Sequence, residues 1–416
     1  MNAHSSKSLA RQLAYLFVLA GGLILLSGCD PKAEPAAKKP LAAQTETAQP
    51  TPNLRRYTQD FWHQGDQQLQ QAQRALTRLQ KSIEAFAQAP QRTTLEQCQS
   101  QWLAAHYALL QSRPFVSFGV NNPGLFGSLE RLWQNLDGRP IQPGFLDSFD
   151  VYLTSGIVND ITLPMNAQSL RQQQGLTSPE DISLGMHVME YLLWGEHGKR
   201  QAKDFIAPSI NTESSKLEDQ PQIRRLGYLK LLAQLLRDDL DTLIISRNTG
   251  PSSDAWALLS AEQQLLAIRT SLAHWLTQDL LLPMQQNTSN TTTVSISEAQ
   301  IKESPFAQQA HPQLELEQIQ QRLSALMVII LKEPQLMQAL LPNGAHQVFS
   351  QEVKQTQWLI NEALSPDQPE FVTDSVSDDL DKNNPDIDSK RLNNIDATFK
   401  VAQQHLATAT SLLMQQ

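Results

Sequence analysis

The sequence predicts an all-α protein. Apolar residues recur at three- and four-residue spacing along most of the chain, and period-two alternation of β-branched residues is almost absent. Prolines and Asn/Gly clusters interrupt these stripes at helix-length intervals. The 416 residues, 40% of them hydrophobic, suffice for one large or two ordinary domains with real cores.

Each segment has its own justification. Lys7 and Arg11 precede an apolar run, Leu13 to Leu26, that is too short to span a bilayer and ends in Leu26-Ser27-Gly28-Cys29. We read residues 1–28 as a lipoprotein signal peptide and Cys29 as the lipidated residue, so that acyl chains hold the protein on a membrane. Residues 29–55, rich in Ala, Pro, Lys, Gln and Thr, read as a flexible tether. The predicted location is the bacterial cell envelope, facing the periplasm or the exterior. With Cys29 lipidated, Cys98 is the one remaining thiol. It shares a stripe with Leu95, Trp102 and Leu109 and is expected to be a buried small hydrophobe.

The mature chain carries 31 basic against 42 acidic residues, a net of −11 once Lys7 and Arg11 are removed. That balance argues against nucleic acid as a partner. Leu69, Ala72, Leu76, Leu79, Ile83 and Phe86 form the first stripe, which Pro90 ends. Asn121-Asn122-Pro123-Gly124 and Asp137-Gly138-Arg139-Pro140 bracket irregular chain. Ile182, Met186, Met189 and Leu193 line one face of a helix expected to open at Ser178-Pro179-Glu180-Asp181, with Ser178 as N-cap. Later stripes run from Leu226 to Leu243, from Leu316 to Ile330 and from Leu392 to Leu413. Polar sequence between Pro208 and Pro221 marks the expected boundary between an N-terminal helical bundle, 56–207, and a C-terminal one, 208–416. Segments 285–303 and 365–390 are expected to be mobile loops; the carboxylates of the second lack the spacing of a calcium loop.

The chemistry concentrates at Gly185-Met186-His187-Val188-Met189-Glu190-Tyr191-Leu192-Leu193-Trp194-Gly195. On a helix, His187 and Glu190 lie about 60° apart, so both side chains can converge on one point. An imidazole and a carboxylate so placed suit a divalent metal, iron or zinc, and equally suit a hydrogen-bonded pair joining two helices. Gly185 implies that another backbone or a ligand comes close. Of the other histidines, His106 and His197 are weak candidates for further ligands; His106 reads first as a core or half-buried residue near Trp102, His197 as a loop residue, and His274 beside Trp275 as structural. No nucleophile elbow, Cys/His pair or phosphate-cradling glycine loop is present.

The Gly-x-His-x-x-Glu stretch and its Tyr-Leu-Leu-Trp-Gly continuation resemble the imelysin-like family. Gly144-Phe145-Leu146-Asp147, then Ser155-Gly156-Ile157-Val158-Asn159-Asp160, is similar to the segment upstream of that motif, and Ser304-Pro305-Phe306 to the opening of a late helix. The family often carries an acid soon after an early tryptophan-containing helix, where this chain has Gln111-Ser112-Arg113. The resemblance implies two packed four-helix-type bundles with the motif helix near their junction. It also implies a metal held by His187 and Glu190, supported by Asp147, Ser155, Asn159, Asp160 and Gly185. The family carries a peptidase label and a link to iron uptake. The expectation is therefore a lipid-anchored, divalent-metal-binding envelope protein working with iron-uptake envelope proteins. A metal-dependent peptidase is the second reading, short of ligands and a base, and a metal-free helical scaffold the third.

Overall fold

The computed structural model describes residues 52–207, 216–284, 312–364 and 385–415; these are mainly helical, with irregular chain ahead of Met186 and one isolated bridge between Phe149 and Tyr152 in place of any strand. Cys29, Ser304-Pro305-Phe306 and most of the expected tether and loops lie outside the described residues. Two edges of those segments differ from expectation. The first helix starts at Pro52 and the last at Pro385, so 52–55 and 385–390 are helical. In both cases proline occupies the first helical position, where its missing N–H costs nothing.

Helices α1 (Pro52–Gln88) and α2 (Arg92–Ser112) form an antiparallel pair around the Pro90 break, where Gln91 and Thr94 close a reciprocal cap. Helix α1 buries Phe61, Leu69, Leu76, Leu79, Ile83 and Phe86. Short helices α3 (Phe118–Asn121), α5 (Pro143–Leu146), α6 (Gly156–Asn159) and α7 (Ala167–Gln173) alternate with the longer α4 (Pro123–Asp137) and α8 (Met186–Trp194). Beyond them run α9 (Pro221–Asn248), α10 (Pro251–Leu258) and α11 (Ala261–Trp275), which continues into a π-turn over Leu276–Leu281. The chain closes with α12 (Pro312–Lys332), α13 (Pro334–Leu340), α14 (Ala345–Ala363) and α15 (Pro385–Met414).

The boundary expected at Pro208 to Pro221 is described only from Lys216 onward. Helix α9 packs on α1, α4 and α8, while α2 also packs on α12, and α14 on α15. Arg224 fastens α9 to the irregular chain before the motif, donating to the carbonyls of Ile157, Val158, Asp160 and Leu163. Among the described residues, no single helix is long and apolar enough to cross a membrane.

Helix α8 differs from its expected form. It begins at Met186, not near Ser178, because the preceding polar groups are used otherwise. The Asp181 carboxylate gathers the backbone N–H groups of Thr177 and Ser178 and the Thr177 hydroxyl. The Gln174 amide oxygen takes those of Ser183 and Leu184. Gly185 then turns the chain at φ +102°, a conformation that favours glycine. A Cβ there would lie 3.0 Å from the Leu136 carbonyl oxygen and 3.1 Å from that of Asn135. The close approach expected of Gly185 is thus the C-terminal turn of α4. All nine residues of α8 are buried, beyond the one stripe predicted, because α2, α4 and α9 contact it on several sides.

Candidate metal centre

Three helices bring their polar residues to one buried point. Helix α2 supplies Trp102 and His106, one turn apart; α4 ends on Asp137; α8 supplies His187 and Glu190. Trp102 sets the register, since its indole N–H donates to the Met186 carbonyl at 2.9 Å and its ring meets Trp194 edge-on at 5.3 Å. The His106 and His187 rings stand edge to face with centroids 5.1 Å apart.

Asp137 lies between the two imidazoles. Its Oδ1 is 2.8 Å from His106 Nε2 and 3.3 Å from His187 Nε2. On the far side of the His187 ring, Nδ1 meets Glu190 Oε2 at 3.0 Å. His187 and Glu190 are therefore in contact, but Glu190 addresses Nδ1 while Asp137 and His106 occupy the Nε2 side. The convergence predicted for a two-residue pair is replaced by a four-residue row. All four are buried, from 0% exposure at His106 to 6% at Asp137 and Glu190.

Burial and charge act in opposite directions on each group. Burial alone would raise Asp137, yet the two imidazoles outweigh it and hold the carboxyl well below its ordinary range. Burial alone would lower His187, yet Asp137 and Glu190 outweigh it and raise the imidazole to about 9. At His106 burial dominates over Asp137, and its pKa is lowered. His187 is thus the charged ring at neutral pH and His106 the neutral one.

The row leaves buried atoms unsatisfied. His106 Nδ1 and Glu190 Oε1 have no hydrogen-bond partner, and His187 Nε2 has only its 3.3 Å ion-pair contact with Asp137, an arrangement that calls for an explanation such as an ion. One ligating atom from each of His106, Asp137 and His187 lies within 4.8 Å of the others. Two imidazoles and a carboxylate are a donor set suited to iron, zinc or manganese. The residues present fit a divalent metal, with Glu190 placed to orient His187 from its other nitrogen, as carboxylates behind metal-bound histidines do.

The supporting residues named from the sequence go elsewhere. Asp147 is fully buried and bound by Arg225 through two bonds, by Arg200 and by the Ser148 N–H. Ser155 donates to the Asp147 and Tyr152 carbonyls, and Asn159 to Ser148 and Ser155. Asp160 caps its own turn through Thr162. None of these four bonds to His187 or Glu190 among the described residues; they brace the loop against which Tyr191 donates to the Ser148 carbonyl at 2.9 Å. Gly185 alone of that group acts directly on the centre, through α4. His106, expected first as a core or half-buried residue and second as a ligand, is buried and a member of the row. His274, expected to be structural, lies half-buried on α11 with its pKa lowered by burial and by Arg113; the His197 side chain lies outside the described residues. Asp137 went unrecognised because its only visible signal, Asp137-Gly138-Arg139-Pro140, is that of a turn.

The Peptidase M75 family, described as imelysin, matches residues 66–413. This chain belongs to the imelysin family. A search of the curated proteins gives no match. Among solved structures, one named as an iron-regulated protein A precursor from Parabacteroides distasonis aligns with a TM-score of 0.53 at 14% identity, over 88% of this chain and 97% of that one. At that identity the likeness speaks for the fold, and the imelysin chain shares its all-α architecture.

Proposed function

We propose that this imelysin is a cell-envelope protein, lipid-anchored at Cys29, that binds a divalent metal, with iron the first candidate, in iron uptake or homeostasis. The observation that carries this reading is the buried His106–Asp137–His187 cluster with its unsatisfied His106 Nδ1. The lipobox-like Leu26-Ser27-Gly28-Cys29 supports the anchor, and the solved relative named as iron-regulated supports the physiological context. His106, Asp137 and His187 would hold the ion, which would supply a Lewis-acidic and, for iron, redox-capable centre. Glu190 would hold the His187 ring. A peptidase reading fits less well, because a row at most 6% exposed gives a polypeptide no approach.

Metal analysis of protein isolated from its native envelope tests the proposal, together with melting curves of the unlipidated chain in Fe(II) and Zn(II). We expect co-purifying metal and a metal-dependent rise in melting temperature that His106→Ala and His187→Ala abolish. Absence of both metal and shift would leave a metal-free scaffold. That second reading is favoured by one observation: His187, charged between Asp137 and Glu190, already has an opposite charge on each side. On it, His187→Ala costs about 1–3 kcal/mol in metal-free protein because buried carboxylates lose their partner.

A further inference from the structure

A second polar cluster, sharing no residue with the metal centre, combines an excess of positive charge with an open cavity. Asp147 is saturated by Arg225, Arg200 and the Ser148 N–H, so two guanidinium groups share one carboxylate. Arg225 gives a third N–H to the Asp204 carbonyl. The Asp204 carboxylate turns back to the Gln201 N–H at 2.8 Å, closing its own short turn. Beside these groups lies a cavity of about 650 Å³ lined by Arg200, Lys203, Asp204, Ile206, Gln222 and Arg225. It is a depression open to solvent, with room for a small charged group rather than an enclosed ligand.

The lining is cationic in an acidic chain of net charge −9. Arg200 Nε is buried with no hydrogen-bond partner, and Lys203 is exposed with no ion pair among the described residues. Gln222 stands in the first turn of the 28-residue α9, which has no acidic side chain in that turn and no side-chain cap. The positive end of its dipole is therefore not neutralised within the helix. Pairing with Asp147 leaves Arg200 Nε unpartnered and accounts neither for Lys203 nor for the open volume.

We infer that this cavity binds a small oxyanion, the carboxylate or phosphate group of a small-molecule ligand. Guanidinium groups recognise both through paired N–H donors, and an ammonium adds a mobile point charge. Arg200 and Lys203 would supply the contacts, Arg225 the fixed positive background, and Ile206 an apolar wall.

Isothermal titration of the whole chain with tricarballylate and with inorganic phosphate tests this. At low salt we expect a dissociation constant of about 0.1–1 mM for at least one of them, weakening as ionic strength rises. Binding of tricarballylate alone assigns the site to carboxylates, and of phosphate alone to phosphates. Lys203→Glu reverses an exposed charge and is expected to weaken binding about tenfold or more, as is the neutral Arg200→Gln. Lys230→Glu, an equal charge change on exposed α9 surface, should leave the affinity unaltered. The inference is overturned if neither anion binds, or if Lys203→Glu and Arg200→Gln, folded by circular dichroism, bind as the natural protein does. Equal weakening by Lys230→Glu would also overturn it, since only the overall charge would then matter.

Discussion

Asp137 Oδ1 and His106 Nε2 meet at 2.8 Å across 31 residues of chain, and that contact closes the centre of this imelysin. The carboxylate is what allows two imidazoles to face each other in a dry interior, and replacing it is the most direct perturbation available. Asp137→Asn keeps the shape and one acceptor but removes the charge. We expect a loss of about 1–3 kcal/mol in metal-free protein, measured by urea denaturation, together with loss of any metal-dependent stabilisation.

The two histidines predict opposite limbs of the stability–pH curve. His187 is raised to about 9 in the folded protein, so its contribution is complete below the ordinary imidazole range and is lost as pH rises through about 9. His106 and Asp137 are lowered, so theirs is present above their ordinary ranges and is lost as pH falls through them. Denaturation of metal-free protein from pH 5 to 10 should show both limbs, and His187→Gln should remove the alkaline one. A curve whose alkaline fall survives that substitution would contradict the assignment. Metal affinity should rise with pH over the same alkaline interval, since the ion competes with the His187 proton.

Gly185 sits at φ +102° against the α4 carbonyls. Gly185→Ala should cost about 2 kcal/mol or more through backbone strain and crowding. It should also weaken metal binding, because the clash pushes α8 away from Asp137. Melting curves with and without Zn(II) separate the two effects.

Asp147 separates bracing from binding. Asp147→Ala strands Arg200 and Arg225 and should destabilise the fold by about 3–5 kcal/mol. Metal stoichiometry in the remaining folded protein should be unchanged. If metal is lost in proportion to neither folding nor charge, Asp147 belongs with the centre after all.

Cys98 is buried, and burial pushes its thiol up to about 11. It should therefore be silent to a thiol reagent at pH 8 in native protein and react fully in denaturant. Prompt reaction of the native protein would contradict the packing of α2 against α1.

Much of this molecule was legible in its residues, and the reason differs from element to element. The stripe from Leu69 to Phe86 became the buried face of α1 because helical periodicity is a local property, repeated every turn. Pro90 marked a helix boundary because a missing N–H and a fixed φ act at the residue itself; the chain between Pro123 and Asp137, expected to be irregular, is instead α4, with Pro123 at its first position. The His187 and Glu190 contact was also local, three positions along one helix. The start of α8 was misplaced because Ser178 carries the pattern of a cap and does accept the Glu180 N–H, while Asp181 and Gln174 hold the N–H groups of Thr177, Ser178, Ser183 and Leu184 outside any helix.

Periodicity and motif alone were enough to establish a helical imelysin and to single out one imidazole and one carboxylate on its most apolar helix. Only the crossing of α2, α4 and α8 decided that Asp137 and His106 complete the row, that Glu190 stands behind His187, and that Asp147 binds arginines. Such crossings depend on how whole faces interlock, and the spacing of residues within any single helix does not encode them.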